Sequence, residues 1–557
     1  MWRSFVVFLF IIFLYLITIV RLFYIQILSD DQWKKEAEKQ HYIRLSLPAQ
    51  RGEILDINKN TIVNNQPAYL VYAQPQNIAN LDSFVSQVEK ILPFENNGLV
   101  EALHESERVW VPLSHKTKAS KIDELKNLEL KGLGFENDPT RFYPESSMAA
   151  HLLGFVGMDI NGQDKGYFGI EGYYDRELKG KDGSLLQEKD VHGNPIVIGQ
   201  AKRVAAQDGR SLTLWVDRSI QKIAEEKLAQ AIKKYGASEG SVLIYDPKTG
   251  GVIAMATHPY YDPQKYNIYS SDIYKNPIVS SSYEPGSTFK VLVMSAAIEE
   301  KLVKPQTLMD ESGPVKIGQY YIKTWNDTYH GSMSMTDVLL HSSNVGMVYV
   351  ARKLGIEKMI NYIDMFGFGN VTNIDLEEES TPEIRAKDNW KEIDLATASF
   401  GQGIAVTPIQ MVRAVGAIAN DGRLMKPMVV KEIVDNNGKV HAIKPKKITQ
   451  VISPSTARIM TEMMITAVEK GEAKWAKPKG YRIAGKTGTA QIPVSGHYDN
   501  EKTIASFIGF APADDPKFVM LVALREPTSS PWGSETAAPL FFSIAEDLFS
   551  YYGIPPL

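Results

Sequence analysis

Three elements follow one another along the 557 residues of this chain: Ser287-Thr288-Phe289-Lys290, Ser342-Ser343-Asn344 and Lys486-Thr487-Gly488-Thr489. Together they supply a hydroxyl nucleophile, an amine to deprotonate it, a polar bridge and a cationic strand. Those are the parts for acyl transfer through a covalent serine ester. Serine is a poor nucleophile at neutral pH and needs a base. Ser287 and Lys290 are three apart, so on a helix they share one face. That helix continues through Phe289, Val291, Leu292, Met294, Ala296 and Ala297, an apolar run that has to be buried. A buried lysine near a second cation has its pKa lowered and can act as the base. Lys486 is the candidate second cation. The helix N-terminus adds positive potential at the serine oxygen, which favours the alkoxide and then the oxyanion.

Ser342 and Asn344 fall in a short loop between helices expected over Met335 to Leu340 and Val345 to Leu354. There the hydroxyl can relay a proton and the amide can hold a substrate carbonyl or the lysine. By itself this loop reads as an ordinary polar connection with N-capping residues, and only the other two elements give it a function; His341 beside it reads as structural. Lys486, Thr487, Gly488 and Thr489 sit in a strand expected over Tyr481 to Ala490. Gly488 allows another backbone to approach closely. An edge strand can pair with an extended peptide, Lys486 with the Thr487 and Thr489 hydroxyls can hold a carboxylate, and the Ser287 and Thr489 backbone N–H groups can form an oxyanion hole.

Several look-alikes are set aside. Ser219-Ile220-Gln221-Lys222 repeats the Ser-x-x-Lys spacing, but it follows Asp217 at the start of an amphipathic helix, where serine caps or faces solvent. Lys248-Thr249-Gly250 makes a hairpin turn. Gly480 to Thr487 matches a phosphate-binding loop, yet a polar loop precedes it and no helix follows. Gly236-Ala237-Ser238-Glu239-Gly240 matches a nucleophile elbow but runs from helix to strand. The ten histidines carry no clustered ligand pattern, so neither a metal nor a cofactor is expected.

The elements that must position these residues read as α+β. Leu212 to Val216 alternates like a strand, Ser219 to Tyr235 is an amphipathic helix, and Ser241–Tyr245 with Gly251–Ala256 flank a Pro/Gly turn. Ala505 to Phe510 and Phe518 to Leu524 are late strands, and a helix covers about Glu535 to Tyr551. Strands early and late with helices between them predict an antiparallel sheet. Upstream, residues 29–45 read as an exposed helix. Short strands and turns begin at Leu47, and helices are expected over Ser83 to Leu92 and Thr117 to Leu128. Residues 140–205 are glycine-rich, which predicts loops and tight turns.

Composition narrows the class. Apolar content of 44% and charge of 23% are ordinary for a globular protein, and a net charge of −4 leaves no nucleic-acid footprint. Cysteine is absent, which excludes disulfides, thiolate metal sites and a cysteine nucleophile. Phe5 to Val20 is uncharged and almost wholly apolar, Arg21 interrupts, and Leu22 to Leu28 resumes the run; as one helix it spans about 36 Å, enough for a bilayer core of about 30 Å. Arg21 would snorkel or meet a partner helix. No small-residue cleavage site follows, so a retained single-pass anchor is expected rather than a signal peptide. Arg3 and the amino terminus favour an N-inside orientation in the cytoplasmic membrane, with the bulk of the chain outside the cytoplasm.

The three elements resemble those of penicillin-binding proteins and serine β-lactamases. Tyr283-Glu284-Pro285-Gly286-Ser287-Thr288-Phe289-Lys290, Asp246-Pro247-Lys248-Thr249-Gly250, Phe400-Gly401-Gln402-Gly403 and Val406-Thr407-Pro408 are similar to class B penicillin-binding proteins in particular. So are Arg51-Gly52-Glu53-Ile54-Leu55-Asp56, Arg141-Phe142-Tyr143-Pro144, Gly154-Phe155-Val156-Gly157 and Gly169-Ile170-Glu171 of the N-terminal half. One departure is Ile57-Asn58-Lys59-Asn60, where the family usually reads Arg-Asn-Gly. The resemblance implies an anchor over 1–28, a non-catalytic, elongated, β-rich pedestal of the dimerisation type over 29–205, and a transpeptidase domain over 206–557. That last domain would have a five-stranded antiparallel sheet and a helical subdomain. It implies a D,D-transpeptidase in which Ser287 attacks the D-Ala-D-Ala bond of a peptidoglycan stem peptide and passes the acyl group to a neighbouring amine. β-Lactams would acylate Ser287. A polytopic lipid-linked glycan polymerase and other division proteins would be partners. Ala505 to Pro512 and Phe400 to Gly403 look more like the septal than the elongation type. A β-lactamase, a membrane β-lactam sensor and a division scaffold are the competing readings.

Overall fold

The structure is a computed structural model that describes residues 2–29, 42–94, 98–104, 110–160, 162–188, 201–494 and 497–557. Its chain divides into two compact units. One comprises Met1–Arg51, Pro67–Pro139 and Gly180–Gly209, and the other Gly52–Gln66, Thr140–Lys179 and Arg210–Leu557.

The first unit opens with helix α1 (Trp2–Phe23), which continues as a π-helical turn over Tyr24–Leu28. The combined span of 27 residues contains an 18-residue window with a mean hydropathy of 2.8, long and apolar enough to cross a membrane. The Arg21 guanidinium lies 5.8 Å from the Tyr24 ring centroid, an intrahelical cation–π contact for the charge that interrupts the apolar run. Elsewhere in this unit, strand Ala68–Ala73 lies between Val111–Lys118 and Leu133–Asn137, antiparallel to both. Helices Leu81–Glu89 and Ala119–Lys126 bury Phe84, Val88, Ile122 and Leu125 against Val71 and Ala73. The expected helical reading of residues 29–45 is corrected at its end. Tyr42–Leu47 is a strand paired antiparallel with Gly183–Glu188, a distant partner that overrides local propensity. Residues 30–41 of that stretch, and Gly193 of the glycine-rich stretch, lie outside the described residues.

In the second unit the central sheet is built from β1 (Glu239–Tyr245), β2 (Val252–His258), β3 (Ala484–Val494), β4 (His497–Ala511) and β5 (Phe518–Arg525). Their spatial order is β2-β1-β5-β4-β3, antiparallel throughout. Strand alternation sends Val242 and Ile244 to one face and Leu243 and Tyr245 to the other. The first face is covered by α2 (Arg218–Tyr235) and the C-terminal α8 (Ala537–Tyr551), through Leu228, Phe541 and Phe542. The second meets a helical block of α3 (Lys290–Glu299), α4 (Met335–Leu340), α5 (Asn344–Met365), α6 (Pro408–Ala419) and α7 (Pro454–Lys470). Helix α5 breaks at Gly355, whose φ of 78° suits glycine, so the first segment ends at Leu354 as expected.

The glycine-rich stretch is more ordered than loops. Within 140–179 it holds short helices Ala150–Leu153, Gly169–Tyr173 and Asp175–Lys179 and the hairpin Phe155–Met158/Asp164–Tyr167. The side chains of Arg141 and Glu171 are 4% and 0% exposed, and they meet at 2.6 Å. At the departure noted above, Lys59 takes a φ of 67°, the position where a glycine would sit without strain. Its ammonium reaches Glu432 at 2.5 Å and the Thr213 hydroxyl at 2.8 Å.

Candidate active site

The sequence around Ser287 forces a tight approach before any helix begins. Gly286 has a φ of 55°, and a 3-10 turn over Gly286–Phe289 leads directly into α3. The turn is buttressed by Gly401, whose carbonyl accepts the Gly286 N–H at 3.1 Å. A Cβ at Gly401 would stand 2.2 Å from the Gly286 carbonyl oxygen, so only glycine fits. Tyr283 and Val406 exchange backbone hydrogen bonds at 2.9 Å, and Glu284 accepts the Gly403 N–H. The two glycine-containing pieces read separately in the sequence are thus one scaffold for the serine.

From α3, Lys290 points into the protein and is fully buried. Its Nζ lies 2.5 Å from the Ser342 carbonyl oxygen, 2.8 Å from Asn344 Oδ1 and 3.1 Å from Ser342 Oγ. The Ser342 and Ser287 hydroxyl oxygens are 3.0 Å apart. The chain Lys290–Ser342–Ser287 is therefore continuous at hydrogen-bond distance. Ser342 adopts a φ of 54°, an uncommon conformation for serine that turns both its carbonyl and its hydroxyl to the lysine. Ser343 caps α5 by accepting the Gly346 N–H at 2.8 Å, and Asn344 opens that helix and donates Nδ2–H to the Lys323 carbonyl.

Lys486 stands on β3, the sheet's edge strand, and is 4% exposed. Its ammonium contacts the Thr487 carbonyl and hydroxyl, both at 3.2 Å. Gly488 faces Thr288, and a Cβ there would come within 2.4 Å of Ser506 Oγ and 2.8 Å of Thr288 Cγ2. Its lack of a side chain lets β3 lie against the serine turn. The Thr489 hydroxyl accepts the Gly533 N–H at 3.0 Å, which leaves its own proton free to donate. Burial depresses the pKa of Lys290 well below the ordinary lysine value, and the charge of Lys486 pushes the same way. Glu472 and Glu311 act in the opposite direction. Burial also lowers Lys486, to about 8, against the favourable charge of Glu472. A neutral Lys290 has two N–H donors for the Ser342 carbonyl and Asn344 Oδ1, and one lone pair left for the Ser342 hydroxyl.

Residues 240–546 match the family model described as penicillin binding protein transpeptidase domain, and residues 46–214 match that of the penicillin-binding protein dimerisation domain. The chain belongs to the class B penicillin-binding proteins. Stage V sporulation protein D of Bacillus subtilis is 34% identical, with 100% of this chain and 86% of that protein covered. The peptidoglycan D,D-transpeptidase FtsI of Escherichia coli K12 is 28% identical, over 96% of this chain and 89% of that protein. Among solved structures, penicillin-binding protein 3 of Mycobacterium tuberculosis complexed with aztreonam superposes with a TM-score of 0.71 at 28% identity. It covers 92% of this chain and 98% of that one. A peptidoglycan synthetase from Bifidobacterium adolescentis gives 0.75 at 27% identity, covering 93% and 98%.

The look-alikes separate cleanly in this penicillin-binding protein. Ser219 is an exposed first-turn residue of α2, and Asp217 accepts its N–H. Lys248 and Thr249 occupy the β1–β2 turn. Gly480 is followed by strand β3, not a helix, and Gly236 ends α2 ahead of β1. The described residues hold no group of three metal-ligating side chains. Sequence reasoning passed over Glu472, which lines the space behind Lys486 with Ser342 and Thr487. It also passed over Glu311 under the Ser342 loop, and over Trp325 and Trp532, whose rings meet with centroids 4.8 Å apart. Single Glu and Trp residues carry no spacing signal.

Proposed function

We propose that this chain is a membrane-anchored serine D,D-transpeptidase that cross-links peptidoglycan stem peptides through an acyl-enzyme on Ser287. The observation that carries the reading is the unbroken contact from Lys290 through the Ser342 hydroxyl to Ser287. In acylation the Ser287 proton passes to Ser342 Oγ while the Ser342 proton passes to Lys290 Nζ. The Ser287 oxygen bonds to the penultimate D-Ala carbonyl carbon. The oxyanion is held by the Ser287 and Thr489 backbone N–H groups. Collapse breaks the C–N bond, and the same relay returns the proton to the departing D-alanine amine. An amine from a neighbouring strand then attacks the ester, losing its proton back through the relay. Lys486 and the Thr487 and Thr489 hydroxyls hold the terminal carboxylate, Gly488 lets the substrate backbone approach, and Asn344 keeps Lys290 in place. A β-lactam enters as a mimic of the donor and stays as a stable ester.

Residues 1–28 act as the anchor, with the N-terminus in the cytoplasm and the remainder outside it. Residues 29–205 act as a non-catalytic pedestal and 206–557 as the transpeptidase domain. The relative named FtsI supports a septal role, with a polytopic glycan polymerase and other division proteins as partners. The test is a transfer reaction with a D-Ala-D-Ala-terminated stem peptide and an acceptor amine. Wild type releases D-alanine and forms the cross-link, whereas Lys290→Ala does neither. Release of D-alanine with no cross-link at saturating acceptor would refute transpeptidation. Rapid turnover of a penicilloyl ester would favour the β-lactamase reading.

A further inference from the structure

Behind the Ser342-Ser343-Asn344 loop lies Glu311, at the end of a strand (Leu308–Glu311) that pairs with Gly331–Ser334. Its side chain is 0% exposed. One carboxylate oxygen accepts a short hydrogen bond from the Ser343 hydroxyl. The other accepts the His330 backbone N–H at 3.2 Å and lies 3.0 Å from His330 Nδ1. The second contact assigns the proton to Nδ1. His330 in turn stacks on His341, the residue before the loop, with centroids 4.1 Å apart and planes at 23°. No lysine or arginine is paired with this carboxylate among the described ion pairs, so its environment is organised by the loop and one imidazole.

We propose that Glu311 is a positioning residue for acylation: by holding Ser343, it locks the loop so that Ser342 and Asn344 face Lys290. This rests on reading Ser287, Lys290, Ser342 and Asn344 as the acylating machinery. Ser342 keeps its uncommon φ of 54° only if the residues around it over-determine the loop. Its C-terminal neighbour is the one clamped from below by Glu311 and from α5 by Gly346. Releasing that clamp lets Ser342 relax, which withdraws its carbonyl and hydroxyl from the lysine.

The test measures the rate of penicillin acylation against pH, and the thermal midpoint, for the full chain and its variants. The charged groups whose fields act on Lys290 are Lys486, Glu472 and Glu311. Glu311 is faced by His330, with His341 stacked behind it and Asp337 and Lys470 beyond. Glu311→Gln is nearly isosteric but offers one accepting oxygen where the carboxylate offers two, so the Ser343 hydroxyl and the His330 N–H groups can no longer both keep their acceptor. It is expected to slow acylation at least tenfold with little change in midpoint. The acid limb of its profile should move to lower pH, because a negative charge that favours protonated Lys290 has gone. Glu311→Asp should restore the position of that limb but not the plateau. Should Glu311→Gln fail to fold, Ser343→Ala serves instead, with the same slowing and an unmoved limb. Wild-type rates in Glu311→Gln, or in Ser343→Ala where that substitutes for it, would overturn the inference, as would a loss that merely follows the folded fraction. Ser342→Ala and Asn344→Ala run in parallel. If they are slow while Glu311→Gln is not, only this inference falls. If they acylate normally, the underlying reading falls with it.

Discussion

Lys290 and Lys486 divide one task by environment. Both are buried, but Lys290 is also subject to the field of Lys486, so the two are pushed apart in affinity for protons. In the proposed mechanism the active form has Lys290 neutral and Lys486 charged. Acylation should therefore rise as pH climbs through the lowered Lys290 value and decline as Lys486 deprotonates near 8, giving a bell-shaped profile of the acylation rate constant. Replacing Lys486 by alanine removes a cation that disfavours protonated Lys290. The acid limb should then shift to higher pH, and the alkaline limb should disappear. An unshifted acid limb would show that Lys486 does not set the base. These residues were legible in the sequence because the chemistry demands scarce combinations: a lysine in an apolar helix three residues from a serine has few structural excuses. Glu311 was illegible for the opposite reason. One glutamate in a short strand looks like a surface residue until the loop is seen resting on it.

Among the elements, the one that positions the serine is a non-local construction. Gly286 and Gly401 are far apart in the chain yet share a hydrogen bond with no space for a Cβ. Gly401→Ala should lower stability by about 2 kcal/mol, from strain at a φ of 78° and the clash with Gly286. It should also slow acylation beyond what the loss of folded protein explains. Thermal unfolding with acylation kinetics normalised to folded protein checks this. Helix α3, the β1–β2 hairpin and the late strands within β4 and β5 were readable because hydrophobic periodicity and turn chemistry agreed. Tyr42–Leu47 was not, since its partner lies far along the chain. The short helices within 140–179 were hidden by glycines that punctuate them and do not replace them.

At the scale of the whole molecule, the two compact units interleave along the chain. Linear composition cannot reveal this, because Thr61–Gln66 and Thr140–Phe142 pair across an inserted segment. Within the second unit, the motifs around Arg141 and Glu171 meet as one buried ion pair. Arg141→Ala takes the guanidinium away from a buried carboxylate and should cost about 3–5 kcal/mol, read as a fall in chemical-denaturation stability. The folded fraction should still bind penicillin at the normal rate. Removing residues 2–28 takes away the apolar span, and the truncated protein should partition into the soluble fraction with its penicillin labelling intact.

The central claim is that Ser287 is the acylated nucleophile, and it is tested most directly by covalent labelling with a fluorescent penicillin. Wild type and Ser219→Ala should carry the label and Ser287→Ala should not. A Ser287→Ala protein that still takes up one penicilloyl group would contradict the account.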